Sequence, residues 1–227
     1  MKKINAYFES TKKYWESDVS FISLLLMLLV IVFILPVLID RETDNALFLN
    51  LMFIILFFIG IFSAREKVFV IASITMLTLH VSLRLVRFGD NPFEFYLLER
   101  IVVILNFALF MLINFRLLFR DDEVNAYRII GAVNVYLSLA LIGAFAMEVI
   151  QLTTGNSIEG NIQLTGRDED FGDYIYFSLV SLSTVGFGDV HPVNISSKML
   201  SSFLSVVGIL YPAVVIAKLV SFSTKKQ

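Results

Sequence analysis

Long apolar runs separated by short charged breaks set the pattern of the chain. The runs cover 21–39, 46–63, 68–86, 97–118, 129–150 and 199–220, each close to the roughly 20 residues of helix that cross a bilayer core. The breaks carry charge or turn chemistry: Asp40-Arg41-Glu42, Arg65-Glu66-Lys67, Gly89-Asp90-Asn91-Pro92 and Arg120-Asp121-Asp122-Glu123. The pattern predicts an all-α membrane protein with six transmembrane helices. The first run is long enough to span and no small-residue cleavage site follows it, which argues against a removable leader. The sequence shows no internal repeat and no low-complexity tract.

Lysines and arginines at the ends of the runs give an orientation. Lys2, Lys3, Lys12 and Lys13 place the N-terminus in the cytoplasm. Alternation then puts Arg65, Lys67, Arg116, Arg120, Arg128, Lys225 and Lys226 on the same side, with the net-negative 40–45 loop outside. Arg84, Arg87 and Arg100 are the discordant group. Residues 1–18 bring Ile4, Tyr7, Phe8, Tyr14 and Trp15 near one face at helical spacing, a cytoplasmic amphipathic lead-in suited to the membrane interface.

Composition sharpens the reading. The 227 residues are 57% hydrophobic and 17% charged, which excludes a disordered chain and argues against a soluble enzyme. A net charge of -2 gives no nucleic-acid footprint. With no Cys and two His, a disulfide or Cys-ligated metal is impossible, and almost nothing remains for a metal site or a His-based triad. The expectation is a protein that is not an enzyme and has no cofactor.

Between the fifth and sixth runs, 151–172 are polar and Gly-rich, and then comes an apolar stretch of half the usual length. Asp173 is a suitable N-cap for a helix through about Ser183, roughly 16 Å long. Such a helix would enter the membrane, reach mid-depth and return as Thr184-Val185-Gly186-Phe187-Gly188-Asp189. Irregular backbone at that depth must be buried in protein or line a wet path. Glycines at 186 and 188 tolerate the positive φ that aims successive carbonyls to one side. The carbonyls of Thr184, Val185, Gly186 and Phe187, with the Thr184 hydroxyl, would then face one axis, while Val185 and Phe187 wedge outward. Four copies would stack oxygen rings able to replace a monovalent cation's water shell. The negative end of the short helix's dipole would favour a cation below them.

The run from Ser183 to Asp189 resembles the signature of tetrameric potassium channels. The resemblance implies a homotetramer around a central pore: each chain meets three identical subunits, and K+ is the permeant ion held at Thr184, Val185, Gly186, Phe187 and Gly188. It implies a pore domain at 126–224, with outer helix 129–150, turret 151–172, pore helix 173–183, filter 184–189 and inner helix 198–220. It also implies a voltage-sensor-like four-helix domain at 19–120. Phe187 stands where the commonest form has Tyr, a variant the family also uses. By resemblance Asp189 hydrogen-bonds Tyr176 behind the filter.

In the sixth run, Pro212 cannot donate to the carbonyl four residues back, at Gly208, so a bend that sets an inner gate is expected there. Ser201 and Ser205 either line the cavity or bond back to their own helix. A voltage sensor would place Arg or Lys at every third residue of the fourth run. Here Arg100, Arg116 and Arg120 sit at its edges with none between, so no conventional sensor is expected. His80, Arg84 and Arg87 share one face of the third run. They snorkel, or pair with Glu94 or Glu99, or else form a displaced sensor. A charge on His191 would make conduction pH-sensitive between about 5 and 8; an inert mouth residue is the alternative, and Glu148 is open in the same way.

With seven residues after the sixth run, no cytoplasmic nucleotide- or calcium-binding domain is expected there. A plasma-membrane, prokaryotic channel is expected from compact size. Two alternatives stand beside the potassium channel: a poorly selective monovalent cation channel, and a non-conducting subunit of a heteromer.

Overall fold

The computed structural model describes residues 20–39, 46–64, 66–87, 93–119, 126–165 and 168–224. The lead-in at 1–18, the 40–45 loop, Arg65, the 88–92 and 120–125 breaks, Lys225 and Lys226 lie outside the described residues. So do the side chains of Arg87 and Glu94.

In chain order the helices are α1 (Ser20–Ile39), α2 (Ala46–Ile61), α3 (Lys67–Arg87), α4 (Phe93–Phe119), α5 (Ala126–Thr154), α6 (Phe171–Leu182) and α7 (Ile195–Thr224). Five of them, α1, α3, α4, α5 and α7, are long and apolar enough to cross a membrane. α2, in the second expected span, is shorter among the described residues. Its 16 residues rise about 24 Å against a bilayer core of about 30 Å. It ends where the amides of Phe62, Ser63 and Ala64 bond three residues back and turn the chain. α1 widens to a π-helix at Val30–Ile34. Pro36 lies just beyond, with no amide to give and a ring that crowds the Val32 carbonyl, and a wider turn relieves both.

The segments 19–120 and 126–224, expected as separate units, share one apolar core. Phe53 and Phe57 of α2, Phe107 and Phe110 of α4, Phe145 of α5 and Phe171 of α6 are all buried in it. The Phe53 ring centroid lies 5.4 Å from that of Phe145 and 5.6 Å from that of Phe171, both edge-on. A polar tie adds direction: Asn134 of α5 donates to Asn114 Oδ1 of α4 and to the Phe21 carbonyl of α1, each at 3.1 Å.

The stretch expected to be a polar turret is more ordered than its composition implies. It holds β1 (Ile158–Gly160), which pairs antiparallel with β2 (Val190–Pro192) just after the 184–189 run, and a 3-10 turn at Asp168–Asp170 that leads into α6. Among the described residues the fold is helical with one small two-stranded tie.

Candidate functional site

α6 starts two residues earlier than expected, and Asp173 is not its N-cap. Asp170 precedes the helix without capping it through its side chain. Its carboxylate instead accepts from the amide and hydroxyl of Thr165 at 2.8 and 2.9 Å. Asp173 lies in the first turn, where a negative charge meets the positive end of the helix dipole.

At the other end, α6 closes in a Schellman motif. The Val185 amide donates to the Val180 carbonyl at 3.1 Å, and the Thr184 amide to Ser181, also at 3.1 Å. Such a motif needs a left-handed residue between helix and exit, normally Gly. Here that residue is Thr184, with φ 61°. Gly186 and Gly188 follow at φ 58° and 82°, while Val185 and Phe187 stay out of the positive region. Alternating φ signs turn successive peptide planes the same way, so that like groups point to one side. Val185 and Phe187 do not wedge against α6 within the chain: they are 54% and 69% exposed.

Beyond the run, the Tyr176 hydroxyl donates to Asp189 Oδ2 at 2.6 Å, and Asp189 Oδ1 accepts the Val190 amide at 3.0 Å. The Tyr176 bond, ahead of the backbone bonds, holds the Asp189 carboxyl below the usual carboxylate range and pushes the tyrosine hydroxyl up. From β1, Gly160 approaches so closely that a Cβ there would lie 2.1 Å from the Asp189 carbonyl. His191 is exposed and sits opposite Glu159 in the strand pair.

α7 approaches α6 along a stripe of small residues at 201, 205 and 208. Ser201 and Ser181 share a hydroxyl–hydroxyl bond of 3.0 Å, and Ser205 donates to the carbonyls of Ser181 and Ser201 at 3.0 Å. Both serines therefore face the end of α6, and with Thr184, Gly186 and Gly188 they line a cleft beside the run. A Cβ on Gly208 would sit 1.7 Å from the Leu182 carbonyl. Glycine is thus demanded by backbone contact at the point where a hinge was expected. α7 runs helical through Pro212 to Thr224. On the far side of α6, Ser178 donates to the Ala140 carbonyl at 2.6 Å, beside Gly143.

One constellation was read only in part: the pairing of Arg84 with Glu99 was among the expectations, its convergence with Arg100 on Asp168 was not. Arg84 of α3 does not snorkel: it is buried, with Nη1 on Glu99 at 2.8 Å and Nη2 on Asp168 at 2.8 Å. Arg100 of α4 is also buried, with Nε on Glu148 of α5 at 2.9 Å and Nη2 on Asp168. The Tyr96 hydroxyl accepts from Arg100 at 2.6 Å and donates to Glu148. The third-run arginines and Glu99 were legible as a pair; the meeting of Arg84 and Arg100 on Asp168 depends on how the 151–172 stretch folds back, which no local pattern encodes.

Residues 130–225 match a family model described as Ion channel. The match spans α5, the turret, α6, the 184–189 run and α7, rather less than half of the chain. No curated protein and no solved structure matches. The match, with the five apolar helices, supports an integral membrane protein of the ion-channel type.

Proposed function

We propose that the chain is one subunit of a homotetrameric channel that conducts K+ passively through carbonyl rings at Thr184, Val185, Gly186, Phe187 and Gly188. The alternation of φ from Thr184 to Gly188 carries the reading. It is costly backbone, with a β-branched residue in the left-handed region, and strain of this kind is kept where a function needs it. Four copies around an axis would surround an ion with oxygens, and a neighbouring copy would cover the exposed Val185 and Phe187. Asp189 and Tyr176 hold the outer end, while Gly208 and Pro212 provide the gate. On the lysine and arginine bias, both termini lie on the cytoplasmic side and the turret faces out. α2 then crosses by local thinning or snorkelling.

The first four helices act here as a fixed support rather than a voltage sensor. Arg84 and Arg100 are each tied to acids on other elements, and a sensor must let its charges move. The test is the reversal potential of purified protein in planar bilayers under opposed K+ and Na+ gradients. Reversal near the K+ equilibrium value supports the reading; reversal near zero favours the poorly selective cation channel. Current seen only after a second subunit is added favours the accessory role.

A further inference from the structure

The ion cluster at Asp168 lies at neither the proposed filter nor the proposed gate, yet it is more deeply buried than either. Asp168, Glu99, Arg84, Arg100 and Glu148 are all at most 6% exposed. Burying that many charges is hard to justify as stabilisation, since well-packed apolar residues commonly do as well. A buried ionic cluster does fix geometry, because its partners tolerate no shift without stranding a charge.

The geometry that it fixes is the start of α6. Asp168 opens the 3-10 turn that runs without a break into Phe171. Its two carboxylate oxygens are claimed by different helices, Oδ2 by Arg84 of α3 and Oδ1 by Arg100 of α4. Those arginines are anchored in turn on Glu99 and Glu148. The opposite end of α6, twelve residues on, supplies the Val180 carbonyl that accepts the Val185 amide at 3.1 Å and the Gly186 amide at 3.4 Å. A short helix held at one end by ions and bonded at the other to the filter transmits displacement along its axis. We infer that Asp168, gripped by Arg84 and Arg100, is a positioning residue through which the first four helices set the conformation of the filter and its rate of inactivation.

This inference rests on the channel reading, and the experiment separates the two. Purified full-length protein is reconstituted, and single-channel records are taken at two external K+ concentrations for wild type, Asp168→Asn and Asp168→Glu. Asp168→Asn keeps the side-chain shape and removes the charge. Its open bursts are expected to shorten roughly tenfold, in the range of ordinary coupling between sites. Raising K+ should lengthen them again, because an occupied filter resists collapse. Asp168→Glu, which keeps the charge, should recover most of the wild-type burst length. A role in folding alone would lower the yield of assembled channels and leave the bursts of each channel unchanged.

If Asp168→Asn does not assemble, Arg84→Lys serves in its place: it retains the charge and loses the forked contact, and a smaller shortening is expected. Unchanged bursts in the variants beside a conducting wild type overturn the inference alone. Failure of both Asp168→Asn and Arg84→Lys to assemble overturns it too, by making the cluster a folding requirement. A wild type that carries no K+-selective current overturns the channel reading and this inference with it.

Discussion

At the scale of single residues, Thr184 puts the clearest demand on the sequence. Its φ of 61° costs an L-residue with a branched Cβ about 1–2 kcal/mol, which Gly would avoid. The proposed filter gives the residue a reason in its hydroxyl, which the turn does not. Thr184→Gly is expected to leave the melting temperature in Na+ unchanged or raised, while the reversal potential moves toward zero. A lowered melting temperature with selectivity intact would assign Thr184 to folding. Asp189 permits a signed pH prediction. Its carboxyl is held below the usual range by the Tyr176 hydrogen bond. The support it gives is then fully present above the ordinary carboxylate range and is lost only when acid reaches the lowered value. Tyr176→Phe removes the donor and lets the carboxyl return toward its ordinary value, so block by external acid should begin at higher pH. Titrating single-channel current from the outer side checks this, and an unmoved midpoint would detach Tyr176 from Asp189 protonation.

Among the elements, α6 is the one on which the others converge. α5 meets it at Gly143 and Ser178, α7 at Ser201, Ser205 and Gly208, and the strand pair at Gly160 and Asp189. Gly208 makes a two-residue test of the hinge ambiguous, because any Cβ there strikes the Leu182 carbonyl and disturbs the filter end of α6. Pro212 alone is the cleaner probe. Pro212→Ala restores a donor for the Gly208 carbonyl and should lower open probability with the reversal potential unchanged; unaltered gating rules out the bend. Gly160→Ala acts from the opposite face. With a Cβ 2.1 Å from the Asp189 carbonyl, it must displace β1 or the outer end of the filter, and conduction should fall even though residue 160 lies in the turret.

These contacts mark how far the sequence could be read. Apolar run length gives α1, α3, α4, α5 and α7 to within a few residues at most ends, because a membrane helix needs little else. α2 is the run whose described helix is shorter than its apolar stretch, because the amides of Phe62, Ser63 and Ala64 turn the chain at its end. The 184–188 glycines announce their φ signs. Thr184 does not, because no propensity favours it there. The start of α6, the turret strand and the ion cluster depend on segments far apart in sequence, so Asp168 and Gly160 carried no local signal.

For the molecule as a whole, the two long helices of the matched region are buried very unequally within the chain. In the apolar stretch of α5, wrapped by α4, α1 and α6, 61% of the residues are buried, whereas in that of α7 only 11% are. Its one buried edge, near Leu204 and Val215, faces the rest of the chain. Ile209 and Leu210, at 62% and 57% exposed, look away from it in different directions, about 100° apart around the helix. In a lone subunit both would face lipid. In a tetramer around an axis one flank meets a neighbouring copy and the other meets the water of the pore. The chain has no Cys, so Ile209→Cys and Leu210→Cys each introduce a single thiol without background. A water-soluble, thiol-specific cation applied from the cytoplasmic side should block current through one variant and spare the other, and the reactive position should be protected when the channel is closed. Reaction at both positions would mean that α7 stands loosely in a wide aqueous vestibule. Reaction at neither, in channels that still conduct, would place lipid around α7 and move the conduction path elsewhere in the fold.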